Sequence, residues 1–280
     1  MSLLYVPAGR AREYAGLACN IYKGCDTGCL YCYGASVLRM THESFVASTP
    51  RPSFLEKLAH EAENFNGIKR RVLLCFSCDP YQALDEQLGI TRETINILHY
   101  YDFGVTVLTK GGKRALRDLD IFCVADRFAT TLTFMDNEST SHWEPGSASP
   151  AERVETIKAF HDAGIRTWVS LEPVFDIATS LAAIEATHEF VDLYKVGKLN
   201  HQSYPGHDDK YWRHWALSAA SLLGNLRKPY YIKQDLAAIA GTRYASLHLH
   251  ELDQNDIVDP STVTKPLQLS TSTEQLSLLL

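Results

Sequence analysis

The stretch "CNIYKGCDTGCLYCYG", residues 19–34, places Cys19, Cys25, Cys29 and Cys32 within fourteen positions. The last three follow the spacing C-x3-C-x2-C, with Gly24 and Gly28 between them and Tyr31 just before Cys32. Three soft thiolates from one short loop suit three irons of a cubane cluster, leaving the fourth iron without a protein ligand. Glycines let the backbone fold tightly where side chains would obstruct it. A ferredoxin would need a fourth cysteine. Cys19, six residues upstream on an expected strand, reads instead as core, since free cysteine is among the most buried residue types. Zinc is the rival metal, but structural zinc sites pair two knuckles. Cys75 and Cys78 stand at the end of an expected strand, an awkward second knuckle. A non-catalytic iron–sulfur or zinc protein therefore stays as an alternative.

The rest of the chain frames that loop. At 280 residues and 45% hydrophobic, it can bury a full core in one domain or two. There is no run of eighteen apolar residues, so no membrane span is expected. The opening "MSLLYVPAGRAREY" meets charge too early for a secretory signal, which makes a cytoplasmic location the expectation. Seven cysteines without an export signal argue against a disulfide framework. Of the net charge of −6, residues 251–280 carry −4, from five acids and one base, leaving about −2 for the rest. A protein that coats nucleic acid non-specifically would be basic. The window 103–117 holds Lys110, Lys113, Arg114 and Arg117 with no acid, a pattern that a solvated helix face also produces.

Short β-rich runs recur at 71–77, 104–110, 127–134, 165–174 and 191–197, with further strands expected at 16–21 and 229–233. Between them lie segments of helical spacing. "SPAERVETIKAFHDAG" has Ser149 as N-cap, Pro150 in the first turn, Glu152 three residues past the cap and Gly164 as stop. Thr91 is expected to cap the helix in "TRETINILHYY", and a serine precedes the helix near residue 54. This alternation predicts an α/β fold, a partial (β/α)6 barrel of TIM type, with chemistry at the C-terminal strand ends. The expected division is one domain over 1–250 and a loosely attached tail over 251–280, where glycine and aromatic residues are lacking.

C-x3-C-x2-C after a first strand resembles the cluster loop of radical S-adenosylmethionine (SAM) enzymes. "SCDPYQALDEQLGITRETINIL", "VTVLTKGGKRALRDLDIF" and "YYIKQDLA" narrow the likeness to the spore photoproduct lyase-like ("DNA repair photolyase") subgroup, over about residues 15–240. The resemblance implies a [4Fe–4S] cluster on Cys25, Cys29 and Cys32, and SAM chelated at the open iron. It also implies reductive cleavage to a 5′-deoxyadenosyl radical that abstracts hydrogen from the substrate. Tyr31 would lie by the adenine, and Ser77, Cys78 and Asp79 near the methionine amino group. Lys110 suits the methionine carboxylate as a point charge. Thr131 and Thr133 point the same way and reach toward the ribose, and Glu172 is a further polar candidate. The threonines are equally explained by β propensity, and Glu172 by a strand-end cap. Cys78 and Tyr81 are candidate hydrogen-atom donors. An external one-electron reductant, flavodoxin- or ferredoxin-like, is implied. The substrate is unassigned, with a nucleic-acid lesion as the alternative.

Overall fold

The computed structural model describes residues 2–241 and 249–266. Its strands are β1 (Leu17–Cys19), β2 (Tyr22–Lys23), β3 (Thr49–Pro50), β4 (Val72–Leu74), β5 (Val105–Thr109), β6 (Arg127–Thr131), β7 (Arg166–Leu171), β8 (Leu193–Val196) and β9 (Tyr230–Ile232). Seven of them make one sheet in the order β1-β4-β5-β6-β7-β8-β9, every pair parallel. The remaining two, β2 and β3, form a small antiparallel ribbon beside the cysteine loop. The sheet is the expected curled, partial barrel, and segments 16–21 and 229–233 supply its first and last strands.

Side chains alternate across this sheet, as the two-residue period requires. Leu17, Val72, Val105, Val107, Phe128, Val169 and Val196 face the helices and join the main core. Ala18, Leu73, Ala129 and Trp168 face inward, where Tyr14, Phe76 and Leu108 pack against them. Small and large residues thus fill the interior in place of a pore.

Helix Pro150–Asp162 carries the expected capping box from Ser149 and Glu152. Two other caps differ from expectation. Ser53 sits at φ 49° and makes no side-chain cap bond to helix Phe54–Glu63. Thr91 lies inside helix Ile90–Tyr100, which begins at Gly89 (φ 63°). The carboxylate of Asp85 caps this turn instead, accepting from the Thr91 amide at 3.0 Å. A local signal had been expected where a residue of the preceding helix, Ala83–Leu88, supplies the acceptor.

The two sheet edges are bridged by the segment before β1. Glu13 accepts from the Tyr231 hydroxyl (2.8 Å) and the Gln234 amide (2.7 Å), and Lys195 donates to the carbonyls of Glu13 (3.2 Å) and Tyr14 (2.8 Å). Residues 249–266 then cover the N-terminal end of the barrel, so the expected loose tail does not describe them. Leu252, Val258 and Val263 are buried, and Arg70 bridges to Ile257. Asp256 explains why. Its carboxylate accepts from the Gly16 amide (3.0 Å) and lies among Lys195, Arg127 and Arg71. Burial pushes Lys195 down to about 7, partly opposed by Asp256, so this acid offsets part of a buried cluster of cations. The remainder of the tail, 267–280, lies outside the described residues.

Asp256→Asn keeps the shape of the side chain and removes its charge. Thermal denaturation is expected to show a loss of about 1.5–3 kcal/mol, the value of a charged hydrogen bond, with metal content at the cysteine loop unchanged. A wild-type melting temperature would mean that the tail packs through its apolar residues alone.

Candidate active site

The cysteine loop leaves β1 at Cys19 and is clamped on three sides. Phe45 O accepts from the Cys25 amide (2.8 Å), Trp143 O from Leu30 (2.9 Å) and Thr27 O from Gly146 (2.9 Å). Asp26 reaches out to accept from the amides of Ala83 (3.1 Å) and Leu84 (2.8 Å), capping helix Ala83–Leu88 from across the fold. Gly24 stands at φ 89°, and a Cβ there would lie 2.3 Å from the carbonyl oxygen of Phe45. That close approach requires glycine.

Cys25 and Cys29 are buried and Cys32 is exposed. The Asp79 amide donates to Cys25 Sγ (3.2 Å) and the Gly34 amide to Cys32 Sγ (3.3 Å). Burial pushes the Cys25 thiol up, reinforced by Asp79. It pushes Cys29 up to about 12, opposed by Lys110. Buried thiols with amide donors and a cation beside them are suited to bind metal as thiolates. Thiolates on one tetrahedral zinc lie about 3.8 Å apart, given Zn–S of about 2.3 Å. Among the described residues these three do not gather within 4.8 Å of one another.

Asp79 joins the loop to the strand ends. Besides the Cys25 contact, its carboxylate accepts from Thr109 Oγ1 (2.5 Å) and from the amides of Lys110 (2.6 Å) and Tyr81 (2.9 Å). Lys110 is thereby held beside the loop, its Nζ 5.8 Å from the centre of the Tyr31 ring. Burial works against its charge, but Cys29 and Glu144 outweigh that and leave its pKa raised. Tyr31 is buried, donates to Glu144 and lies 3.4 Å from Thr133 Oγ1. Ser77 takes its place through its amide, bonded to Asn20 Oδ1 (2.9 Å); its buried hydroxyl has no hydrogen-bond partner among the described residues. Cys78 is buried near Cys75, Cys19 and Cys25.

Other expected residues lie apart from this group. Thr131 ends β6, and its carbonyl accepts from Arg153 (3.0 Å). Glu172 stands at the end of β7, bound by Lys233, by Tyr14 OH (2.8 Å) and by Asn200 Nδ2 (2.7 Å). Tyr81 turns under the helices: the Arg117 guanidinium lies 5.4 Å from its ring centre, and burial followed by Asp118 pushes its phenol up.

Sequence reading missed the buried pair Glu144–Arg153, at 2.5 Å with both side chains fully enclosed. Arg153 also donates to Ala148 O (3.0 Å), so its fork is used on several sides. One signal was present. Arg153, Thr156, Ile157 and Phe160 share the buried face of their helix, an unusual place for an arginine.

The family model of the radical SAM superfamily matches residues 19–191. This chain belongs to the radical SAM superfamily. An uncharacterized protein of Methanocaldococcus jannaschii is 26% identical over 190 residues, covering 65% of this chain and 69% of that protein. The fold is shared with spore photoproduct lyase. A variant structure with bound SAM and dinucleoside spore photoproduct gives a TM-score of 0.61 at 12% identity, covering 82% of this chain and 86% of the other. SuiB of Streptococcus suis, bound to SAM, gives 0.56 at 12% identity, covering 82% and 52%. The protein is thus a radical SAM enzyme, and membership implies an iron–sulfur cluster and SAM. The thiols of the cysteine loop and the orphaned Ser77 hydroxyl fit both groups. Among the described residues no helix is long and apolar enough to cross a membrane.

Glu144→Gln leaves Arg153 enclosed without a counter-charge. Removing one partner of a buried pair costs about 3–5 kcal/mol, so a large fall in melting temperature is expected. Arg153→Met placed on top should recover part of it. A loss in the double variant equal to the sum of the two single-variant losses would show that the two residues are not coupled.

Proposed function

We propose that Cys25, Cys29 and Cys32 hold a [4Fe–4S] cluster with one iron open, and that SAM binds across the ends of β4, β5 and β6. When bound, the pair supplies reductive cleavage of the sulfonium and a 5′-deoxyadenosyl radical for hydrogen abstraction. The observation that carries this reading is the convergence on one barrel mouth of the three-cysteine loop, Lys110 and the unpartnered Ser77 hydroxyl.

The chain's own residues divide the work. Lys110 would hold the SAM carboxylate through its ammonium. Ser77 offers its hydroxyl to the amino group, and the Asp79 carboxylate holds Lys110 and the β4 end in register. Tyr31, fixed by Glu144, presents its backbone and ring to the adenine, with Thr133 beside it and Thr131 one step down the strand toward the ribose. Glu172 shapes the far wall. Phe134 and Phe175, stacked at 5.3 Å, exclude water. Cys78 would exchange hydrogen with a substrate radical; Tyr81, beside Arg117, is the weaker candidate. An external flavodoxin- or ferredoxin-type carrier delivers the electron on the side of Cys32, the exposed cluster thiol.

A nucleic-acid lesion is the second reading for the substrate. It is favoured by an aromatic rim: Tyr33 lies 4.9 Å from His201, Tyr204 lies 5.6 Å from Phe175, and both tyrosines are exposed. Such rims stack bases. Binding of single-stranded oligonucleotides that weakens steeply with salt would support it.

Anaerobically reconstituted protein, reduced with dithionite in the presence of SAM, should release 5′-deoxyadenosine and methionine. Lys110→Ala should weaken SAM binding by about ten- to a hundredfold, from a charged contact worth about 1.5–3 kcal/mol, with iron content intact. Unchanged affinity by calorimetry would return Lys110 to a structural role.

A further inference from the structure

A second cluster of metal-binding side chains lies at the opposite end of the barrel, on its helix side. His99 of helix Ile90–Tyr100 meets Cys123 and Asp126 of the loop leading into β6. One donor atom from each lies within 4.8 Å of the other two, and all three residues are buried. We propose that His99, Cys123 and Asp126 form a structural zinc site, separate from the cysteine loop and independent of the reading given above.

The donor set selects the ion. A thiolate with an imidazole favours a borderline-soft cation over magnesium or calcium, and a carboxylate beside them suits zinc. Cys123 and Asp126 are spaced C-x2-D, the spacing of one zinc knuckle with a carboxylate in the second place. The turn between them is closed by the Asp126 amide donating to Cys123 O (2.9 Å). The outer contacts resemble those of a ligand set. Asp126 accepts from the amides of Val105 (2.8 Å) and Cys123 (2.8 Å), which fixes its carboxylate. Backbone amides of Thr264 and Ala125 lie against the Cys123 sulfur, as outer contacts of a ligating sulfur do. Val258 and Val263 seal the site from outside.

An Asp–His hydrogen bond, His99 Nε2 to Asp126 Oδ1 at 3.0 Å, is the competing account. The Cys123 thiol also hydrogen-bonds Asp126 in that account, so the two are told apart by whether the sulfur keeps its proton. Zinc binding through Nε2 moves the imidazole proton to Nδ1, removes the Cys123 proton to solvent and uses the carboxylate as it stands. One proton leaves, and the ion with its thiolate and carboxylate is neutral overall; Cys123 is 7% exposed, which leaves a water to complete the four ligands zinc takes. It would also tie the tail to the barrel, since the sulfur lies under residues 258–264.

The test uses the full chain purified anaerobically, loaded with zinc chloride, washed with a weak chelator and assayed for zinc and iron. A Cys25→Ala/Cys29→Ala/Cys32→Ala variant removes the cluster loop's thiols. It should retain one equivalent of zinc, and Cys123→Ser in that background should lose it. Cobalt(II) added to the same triple variant should give a thiolate-to-cobalt absorption band, which does not depend on whether the Cys123 variant folds. Zinc below stoichiometry in the triple variant, zinc retained after Cys123→Ser, or cobalt without a thiolate band would each overturn the site.

Discussion

The carboxylate of Asp79 is the contact on which the candidate site depends. It sits in the loop after β4, takes hydrogen bonds from the end of β5, and its residue's own amide turns onto the Cys25 sulfur. Three elements brought together by the sheet are thereby locked at one level. A parallel sheet places all its C-terminal ends on one side, but it does not fix their heights relative to a loop. A buried charge accepting several hydrogen bonds does that, because breaking any of them strands a polar group away from water.

The same logic recurs around the barrel. Glu144 and Arg153 lock the Tyr31 side of the loop, and Glu172 with Lys233 and Tyr14 locks the far wall. At the other end Asp256 offsets Lys195 and Arg127. Apolar packing gives the fold its stability, while these ionic contacts set positions. Each is wholly or largely buried, and each becomes costly if one partner is lost.

Much of this was legible in the sequence. The cysteine spacing, the βα alternation and the Ser149–Glu152 capping box are local patterns, and local patterns survive in a one-dimensional record. The position of Lys110 beside Cys29 could be expected because strand ends converge. The partners of Tyr31 and Glu172 could not: Glu144 comes from an irregular loop and Lys233 from the far end of the chain, 61 residues on from Glu172. The tail misled for a related reason. Its composition is that of a loose segment, yet Asp256 meets Arg71 just before β4, Arg127 of β6 and Lys195 of β8, and Leu252, Val258 and Val263 are buried. Tyr81 shows the opposite failure, being near the mouth in sequence but turned beneath the helices by the chain after Asp79.

The central claim is that the three-cysteine loop builds a cluster with one iron left for SAM. Mössbauer spectra of protein reconstituted with iron-57, recorded with and without SAM, test it most directly. The account predicts a four-iron cluster in which SAM separates one iron from the other three. A spectrum that SAM leaves unchanged, or a loop that takes up zinc in preference to iron under anaerobic reconstitution, would contradict it.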